Sequence, residues 1–395
     1  MTAMAPEQTA GIAAGRPQPQ TTGETGGGPF IRHAPPGRRP VYQSAATFGL
    51  FFGPQIVAAP GWYRGYRINV TSTTAGGTGG VIAATAGGVD APASIVTLMQ
   101  LKDAWGTNLF TGPGYEMLEL VQLISGQFGL EETRSIRGLP SWTGITAASG
   151  AFAFSTYFPF EFTTGYGVIA GANAALLPVL QMPIATVATL FSTPPTVSPT
   201  LTITNDADFY WLPNAPTDPP GLGTTCQYVY QPCNPTIPTA GSLRVQLPRL
   251  GGYLTMLTLD LRDSTGLRID SYPARPGLFV DSVELVNSRL DTITDDMGIM
   301  AGIGSFANNG SQTAPGTVGV ARPTGIIAFS RKTSLAQRDF GLLDTGEKFL
   351  STNPGTQIEV NGVPWGTIAN TPATLNAVIG QIVPSGPLVQ GLPEV

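Results

Sequence analysis

Charge is what this chain has least of. Only 11% of its 395 residues are Asp, Glu, Lys or Arg, against about a quarter in an ordinary soluble protein. Charge normally keeps a surface of this size in water, and the centres of protein interfaces are depleted in it. The scarcity therefore points to an assembly whose subunits cover one another; a secreted β-protein with a Ser/Thr/Asn-rich surface is the alternative. Histidine occurs once, at His33, in an N-terminal stretch without periodicity. That excludes a His-rich metal site or a Ser-His-acid triad held on a rigid scaffold. Cysteine occurs twice, Cys226 and Cys233, too few for a disulfide framework; both are expected as free thiols in one connecting loop. Lysine is confined to Lys102, Lys332 and Lys348, and the formal net charge is −5. Without a local basic patch, this balance argues against packaging nucleic acid by direct contact.

Other signals are looked for without success. Met1–Gly15 lacks the basic start and sustained apolar run of a secretory leader. No charge falls between Glu161 and Asp206, but Asn173, Pro178, Gln181 and Pro183 interrupt that stretch, so no membrane span is expected there. Residues 341–348 resemble a phosphate-binding loop, but Glu347 stands where the motif needs lysine and no Ser/Thr follows Lys348; a solvated turn is expected. Asp206 and Asp208, two apart on a strand, point one way and suit a divalent cation, and Asp295–Asp296 suit the start of a helix. Neither pair has an evident third oxygen ligand, so structural roles are expected for both. The chain is read as no enzyme, with no cofactor and no metal.

What is abundant is glycine and proline, 50 and 36 residues. Together they are too frequent for a helical protein, while 42% hydrophobic content is too high for disorder. Many short strands joined by turns fit best, giving an all-β fold. The clearest strand is Gly61–Thr73, aromatic and β-branched with polar residues interleaved. A similar stretch runs from Gly252 to Ser264: with Trp62 over Tyr253, Ile68 meets Leu259 and Asn69 meets Asp260. Strands are expected at Val41–Leu50, Ile95–Leu101, Ala151–Phe162, Ile184–Phe191 and Leu201–Leu212, then from Leu243, and at Phe279–Val286, Ile326–Ser330, Gln357–Val360 and Leu375–Val383. Helical spacing follows a strand in both halves: Met117, Leu120, Val121 and Ile124 within Tyr115–Gln127, and Ile293, Met297, Met300 and Ala301. A further short helix is expected near Gly171–Leu180. The order strand, strand, helix, strand appears twice. It divides the chain into an extended arm (1–40), a first domain (41–213), a Pro/Gly/Thr-rich linker (214–238), a second domain (239–385) and a tail (386–395).

The arm carries Arg16, Arg32, Arg38 and Arg39, which suit contact with a neighbouring chain or an anionic lipid surface; a solvated terminus is the alternative. A competing function, a carbohydrate-binding or hydrolytic β-sandwich, would use Tyr210 and Trp211 beside Asp208 as its platform.

In its order of elements the chain resembles the double jelly-roll major capsid proteins of tailless, membrane-containing bacterial viruses of the tectivirus group. Trp62–Thr73, Ile95–Leu101, the Tyr115–Gln127 helix, Ala151–Phe162 and the second set from Leu243 carry the resemblance, which covers about residues 41–385. It implies two tandem eight-stranded jelly rolls with short helices in the connections. It also implies homotrimers with six jelly rolls in a pseudo-hexagonal tile, and an icosahedral shell around an internal membrane. Its partners would be further copies of itself, penton and minor capsid proteins and the membrane, with no direct nucleic acid. It would be made in the cytoplasm of a bacterial host and located in the virion. Relatives often open with an amphipathic helix, whereas residues 1–40 here are rich in Gly and Pro.

Overall fold

The computed structural model describes residues 34–53, 61–73, 81–82, 90, 93–102, 108–114, 116–117, 152–161, 168–170, 178–197, 200–211, 224–237, 243–247, 253–300, 306–307, 320–321, 324–330, 350–351, 357–362 and 368–384. Sixteen strands form the frame. In the first half they are β1 (Pro36–Ala46), β2 (Phe51–Phe52), β3 (Gly61–Thr73), β4 (Met99–Lys102), β5 (Asn108–Gly112), β6 (Phe152–Pro159), β7 (Val179–Pro183) and β8 (Thr200–Trp211). In the second they are β9 (Thr224–Ile237), β10 (Leu243–Gln246), β11 (Tyr253–Arg262), β12 (Gly277–Val280), β13 (Val283–Asn287), β14 (Ile326–Ser330), β15 (Ile358–Gly362) and β16 (Ala373–Pro384). Shorter two- and three-residue strands decorate them.

Pairing follows one rule twice. The first half builds a sheet β1-β8-β3-β6 and a row β2-β7-β4-β5; the second builds β9-β16-β11-β14 and β10-β15-β12-β13. Adding eight to each label of the first half gives the second. Two four-stranded layers in this order are an eight-stranded jelly roll, so the fold is a double jelly roll. The two stretches aligned in the sequence, β3 and β11, hold the same place, each between strand eight and strand six of its own half. Their irregularities agree as well. Asp208 lies opposite Gly65 and Phe209 opposite Tyr63, so Arg64 is bulged; Gly380 lies opposite Met256 and Gln381 opposite Leu254, so Thr255 is bulged. With Trp62 over Tyr253, Arg64 falls on Thr255. A second bulge repeats too, at Leu109 between β4 and β5 and at Leu285 between β12 and β13.

The halves are not strung on a tether. Within the stretch expected as a linker, 224–237 is strand β9, the longest in the molecule among those described. It pairs antiparallel with β16 and, on its other edge, parallel with β5, Tyr228 opposite Phe110 and Val229 opposite Thr111. One row of the first jelly roll and one sheet of the second thus become a single continuous sheet. Gly112 sits at this join because a β-carbon there would lie 2.6 Å from that of Tyr230. Phe110 stacks on Tyr228 across it, ring centroids 5.1 Å apart, and meets Phe158 edge-on at 5.0 Å from the facing sheet. The buried apolar residues accordingly form one cluster running through both halves.

Other expectations shift in detail. The arm ends early, since β1 begins at Pro36 and takes in Arg38 and Arg39. The strand expected at Ile95–Leu101 is a 3₁₀ turn, Ala93–Ile95, followed by β4. Ile184–Phe191 is not one strand: β7 ends at Pro183, a helical turn α1 (Val187–Leu190) follows, and Phe191–Thr193 is extended. Thr186 caps that turn, its hydroxyl accepting from the Thr189 N–H at 3.2 Å, a local bond that competes with extended pairing. Of the helix expected near Gly171–Leu180, residues 171–177 lie outside the described residues and Val179–Leu180 open β7. Phe279–Val286 is a hairpin rather than a strand. Asp281 and Ser282 have φ of 48° and 67° between the paired Val280 and Val283, which is a type I′ turn. Helix α2 (Leu290–Met300) buries Ile293 and Met297 and packs on β14. It begins at Leu290, so Asp291 holds the first turn and Asp295–Asp296 lie in its body. Of the Tyr115–Gln127 helix, Glu116 and Met117 are helical and the rest lies outside the described residues, as do 331–349 with the phosphate-loop resemblance. Among the described residues no helix is long and apolar enough to cross a membrane.

Candidate functional site

Charged side chains among the described residues gather in two places. The first is the middle of the sheet β1-β8-β3. Arg38 stands opposite Asp208 in the β1–β8 ladder and grips it with both ends of its guanidinium, Nε to Oδ1 at 2.6 Å and Nη2 to Oδ2 at 3.2 Å. Arg67 approaches the same carboxylate at 3.9 Å and lies over the Tyr157 ring. Asp206 accepts from Asn69 at 3.4 Å. The two aspartates are therefore engaged by side chains of neighbouring strands, and no group of three metal-ligating residues forms among the described residues. The bulged Arg64 donates from Nε to Glu161 Oε2 at 2.7 Å and covers the Tyr210 ring, while Tyr210 donates to Glu161 Oε1 at 2.8 Å. Glu161 is fully buried, and burial, followed by Glu161, pushes the Tyr210 hydroxyl well above its usual pKa. Tyr210 is thus spent inside the sandwich. Trp211 is exposed, its ring set edge-on against Phe209, so the expected aromatic platform of two rings beside Asp208 does not form.

The second place is the seam between the jelly rolls. Arg262 closes β11, and all its nitrogens are engaged: Nε with Asp260 Oδ2 at 2.5 Å, Nη1 with Asp90 Oδ2 at 2.7 Å and the Gly266 carbonyl at 3.1 Å, Nη2 with Glu116 Oε1 at 3.1 Å. Arg268 adds a contact to Asp90 Oδ1 at 3.2 Å. Asp90 and Glu116 come from the first half, the other three from the second. Asp260 and Arg262 share a face because they are two apart on a strand, and the bridge between Arg262 and Arg268 brings the second arginine beside the first. The carboxylates are buried, so they lack water and must be matched from within. Burial raises the Glu116 pKa to about 8, with Asp260 and Asp90 adding to the rise and Arg262 opposing it; Asp260 is raised in the same way, chiefly by burial.

The four arginines singled out in the sequence separate. Arg38 and Arg39 lie on β1, Arg38 tied to Asp208 and Arg39 exposed; Arg16 and Arg32 are outside the described residues. Cys226 and Cys233 are free and buried, on strand β9 rather than in a loop. Seven residues of extended chain put them about 23 Å apart, far beyond disulfide reach. Burial pushes the Cys233 thiol up to about 12 and Cys226 higher still, so both are inert. The seam cluster was missed in the sequence; its only local signal is the alternation of Asp260 and Arg262 within an otherwise apolar strand.

No family model matches the sequence, and no curated protein matches it. Solved structures do match in shape. The crystal structure of the STIV MCP superposes with a TM-score of 0.60 at 12% identity, over 91% of this chain and 100% of that one. The atomic structure of Sulfolobus Turreted Icosahedral Virus gives 0.58 at 11%, over 88% and 90%. A quasi-atomic model of the PBCV-1 virus capsid gives 0.51 at 10%, over 88% and 93%. At these identities the likeness is one of fold: the described residues have the double jelly-roll architecture seen in these capsid structures.

Proposed function

We propose that the chain is a major capsid protein, working by geometry and not by catalysis. Three copies form a pseudo-hexameric trimer, and trimers tile an icosahedral shell over an internal lipid membrane, in the virion of a virus made in a bacterial cytoplasm. The observation that carries this is the exact-order doubling of eight strands within one chain, which lets a trimer present six similar sides. The low charge supports it, because faces covered by sister subunits need little. The first jelly roll on this reading begins with β1 at Pro36 and the second with β9 at Thr224, in place of the expected bounds of 41–213 and 239–385; the arm is the stretch before β1, and with Arg16 and Arg32 it lies against a neighbour or the membrane. Penton and minor capsid proteins complete the shell, and nucleic acid is not a direct partner. Sedimentation of the purified chain tests the reading: a mass three times that of the chain, with hexagonal tiles in electron micrographs, is expected. A stable monomer at high concentration overturns it.

A further inference from the structure

The join between the two jelly rolls uses one edge from each, and among the described residues no strand pairs with the matching edges. Strand five of the first half, β5, is covered by strand one of the second, β9. Strand one of the first half, β1, and strand five of the second, β13, each end a sheet, with no strand beyond them among the described residues. An uncovered edge is a template for another strand, and here the template has already been used once within the chain.

The registers say which residues would meet. Gly65 and Met256 are equivalent by the bulges, so their partners Asp208 and Gly380 are equivalent, and so are the next pair, Ala207 and Ile379. On the outer side these face Arg38 and Arg39 in β1, and Tyr228 and Val229 in β9. Arg38–Arg39 therefore occupy the place of Tyr228–Val229, the two residues that bind β5. Likewise Leu101 pairs with Phe110 and Leu278 with Val286, each followed by its bulge, so Phe110–Thr111 correspond to Val286–Asn287.

We propose that β1 of one copy joins β13 of a second copy as a parallel strand, with Arg38–Arg39 against Val286–Asn287, repeating between chains the join made within each. This rests on the capsid reading above, and names the surface that would hold its trimer. The chemistry of the two edges agrees. The β12–β13 hairpin exposes Val283 and Leu285, 63% and 40% accessible, an apolar strip on a strand edge. Its exposed charges, Asp281 and Glu284, are acidic, while β1 offers the exposed Arg39. Such a contact uses different surfaces on the two partners, so it propagates head to tail and closes into a ring when the rotation permits. Three chains give six joins of one kind, alternately within and between molecules.

The experiment pairs Arg39→Cys with Asn287→Cys in the full chain, both positions being exposed. Paired strands bring such residues to about 5 Å, within disulfide range. Mild oxidation is expected to yield covalent dimers and trimers on a non-reducing gel, and neither single variant alone should do so. Mass is measured before oxidation. A trimer that gives no specific cross-link overturns this contact and leaves the capsid reading standing; a monomer overturns both. As a second readout, Glu284→Arg is expected to weaken association about two- to fivefold, with recovery when Arg39→Glu is added. A reversal at Glu284 that leaves association unchanged counts against the contact.

Discussion

Strands β3 and β11 hold equivalent places, with the same neighbours and the same bulge, yet the bulged residues could hardly differ more. Arg64 reaches the buried Glu161 and shelters Tyr210. Thr255 is buried and its hydroxyl finds no hydrogen-bond partner among the described residues. The ends differ too: β11 finishes in Asp260 and Arg262, which anchor the seam, whereas the matching Asn69 of β3 makes only a long bond to Asp206. What is duplicated is backbone geometry. Side-chain chemistry has gone to separate ends, a local polar network in the first copy and the fastening of one copy to the other in the second.

The comparison is broken most severely at Arg262. Arg262→Met removes the cation shared by three buried carboxylates, and stability should fall by about 3–5 kcal/mol, read from urea unfolding followed by tryptophan fluorescence. An unchanged midpoint would mean the cluster does not fasten the halves. The next effect is one of pH. Glu116 binds its proton more tightly folded, about 8, than at its ordinary 4.5. Its contribution is therefore full below pH 4.5, declines as pH rises through the interval to about 8, and is gone above it. The slope is at most about 1.4 kcal/mol per pH unit. Glu116→Gln should flatten the decline between pH 5 and 8 relative to wild type, as seen in unfolding midpoints at each pH. The smallest effects sharpen the contrast between bulges. Arg64→Val should cost about 2 kcal/mol by taking the guanidinium from the buried Glu161, while Thr255→Val should be neutral or slightly stabilising, since the hydroxyl it removes has no hydrogen-bond partner among the described residues. Equal costs at the two positions in thermal melts would contradict the division of roles.

Much of the frame was legible because its strands alternate cleanly. β3, β8, β11 and β16 follow the expected bounds within a residue or two, and α2 shows in the spacing of Ile293 and Met297. Strand β9 was not legible. Pro232 and Pro235 interrupt it, and proline reads as a break in any central strand; Pro232 nonetheless stands in the ladder with β16, opposite Asn376, while only Tyr228 and Val229 pair with β5. The β12–β13 hairpin hid behind a turn made by Asp281 and Ser282 without glycine. The seam cluster hid for a different reason: Glu116 and Arg262 lie 146 positions apart, and no local pattern reports a partner at that distance. Arg38 was singled out as part of a loose arm, and its place opposite Asp208 follows only from the β1–β8 register.

The parallel pairing of β5 with β9 also has a mechanical side. Two bodies linked by a tether can swivel, and a wall built from them yields inside each brick. Here main-chain hydrogen bonds and a knot of opposite charges cross the boundary, so a load applied to one half passes directly into the other. A sheet of such bricks would flex at the mortar between molecules and keep each molecule stiff.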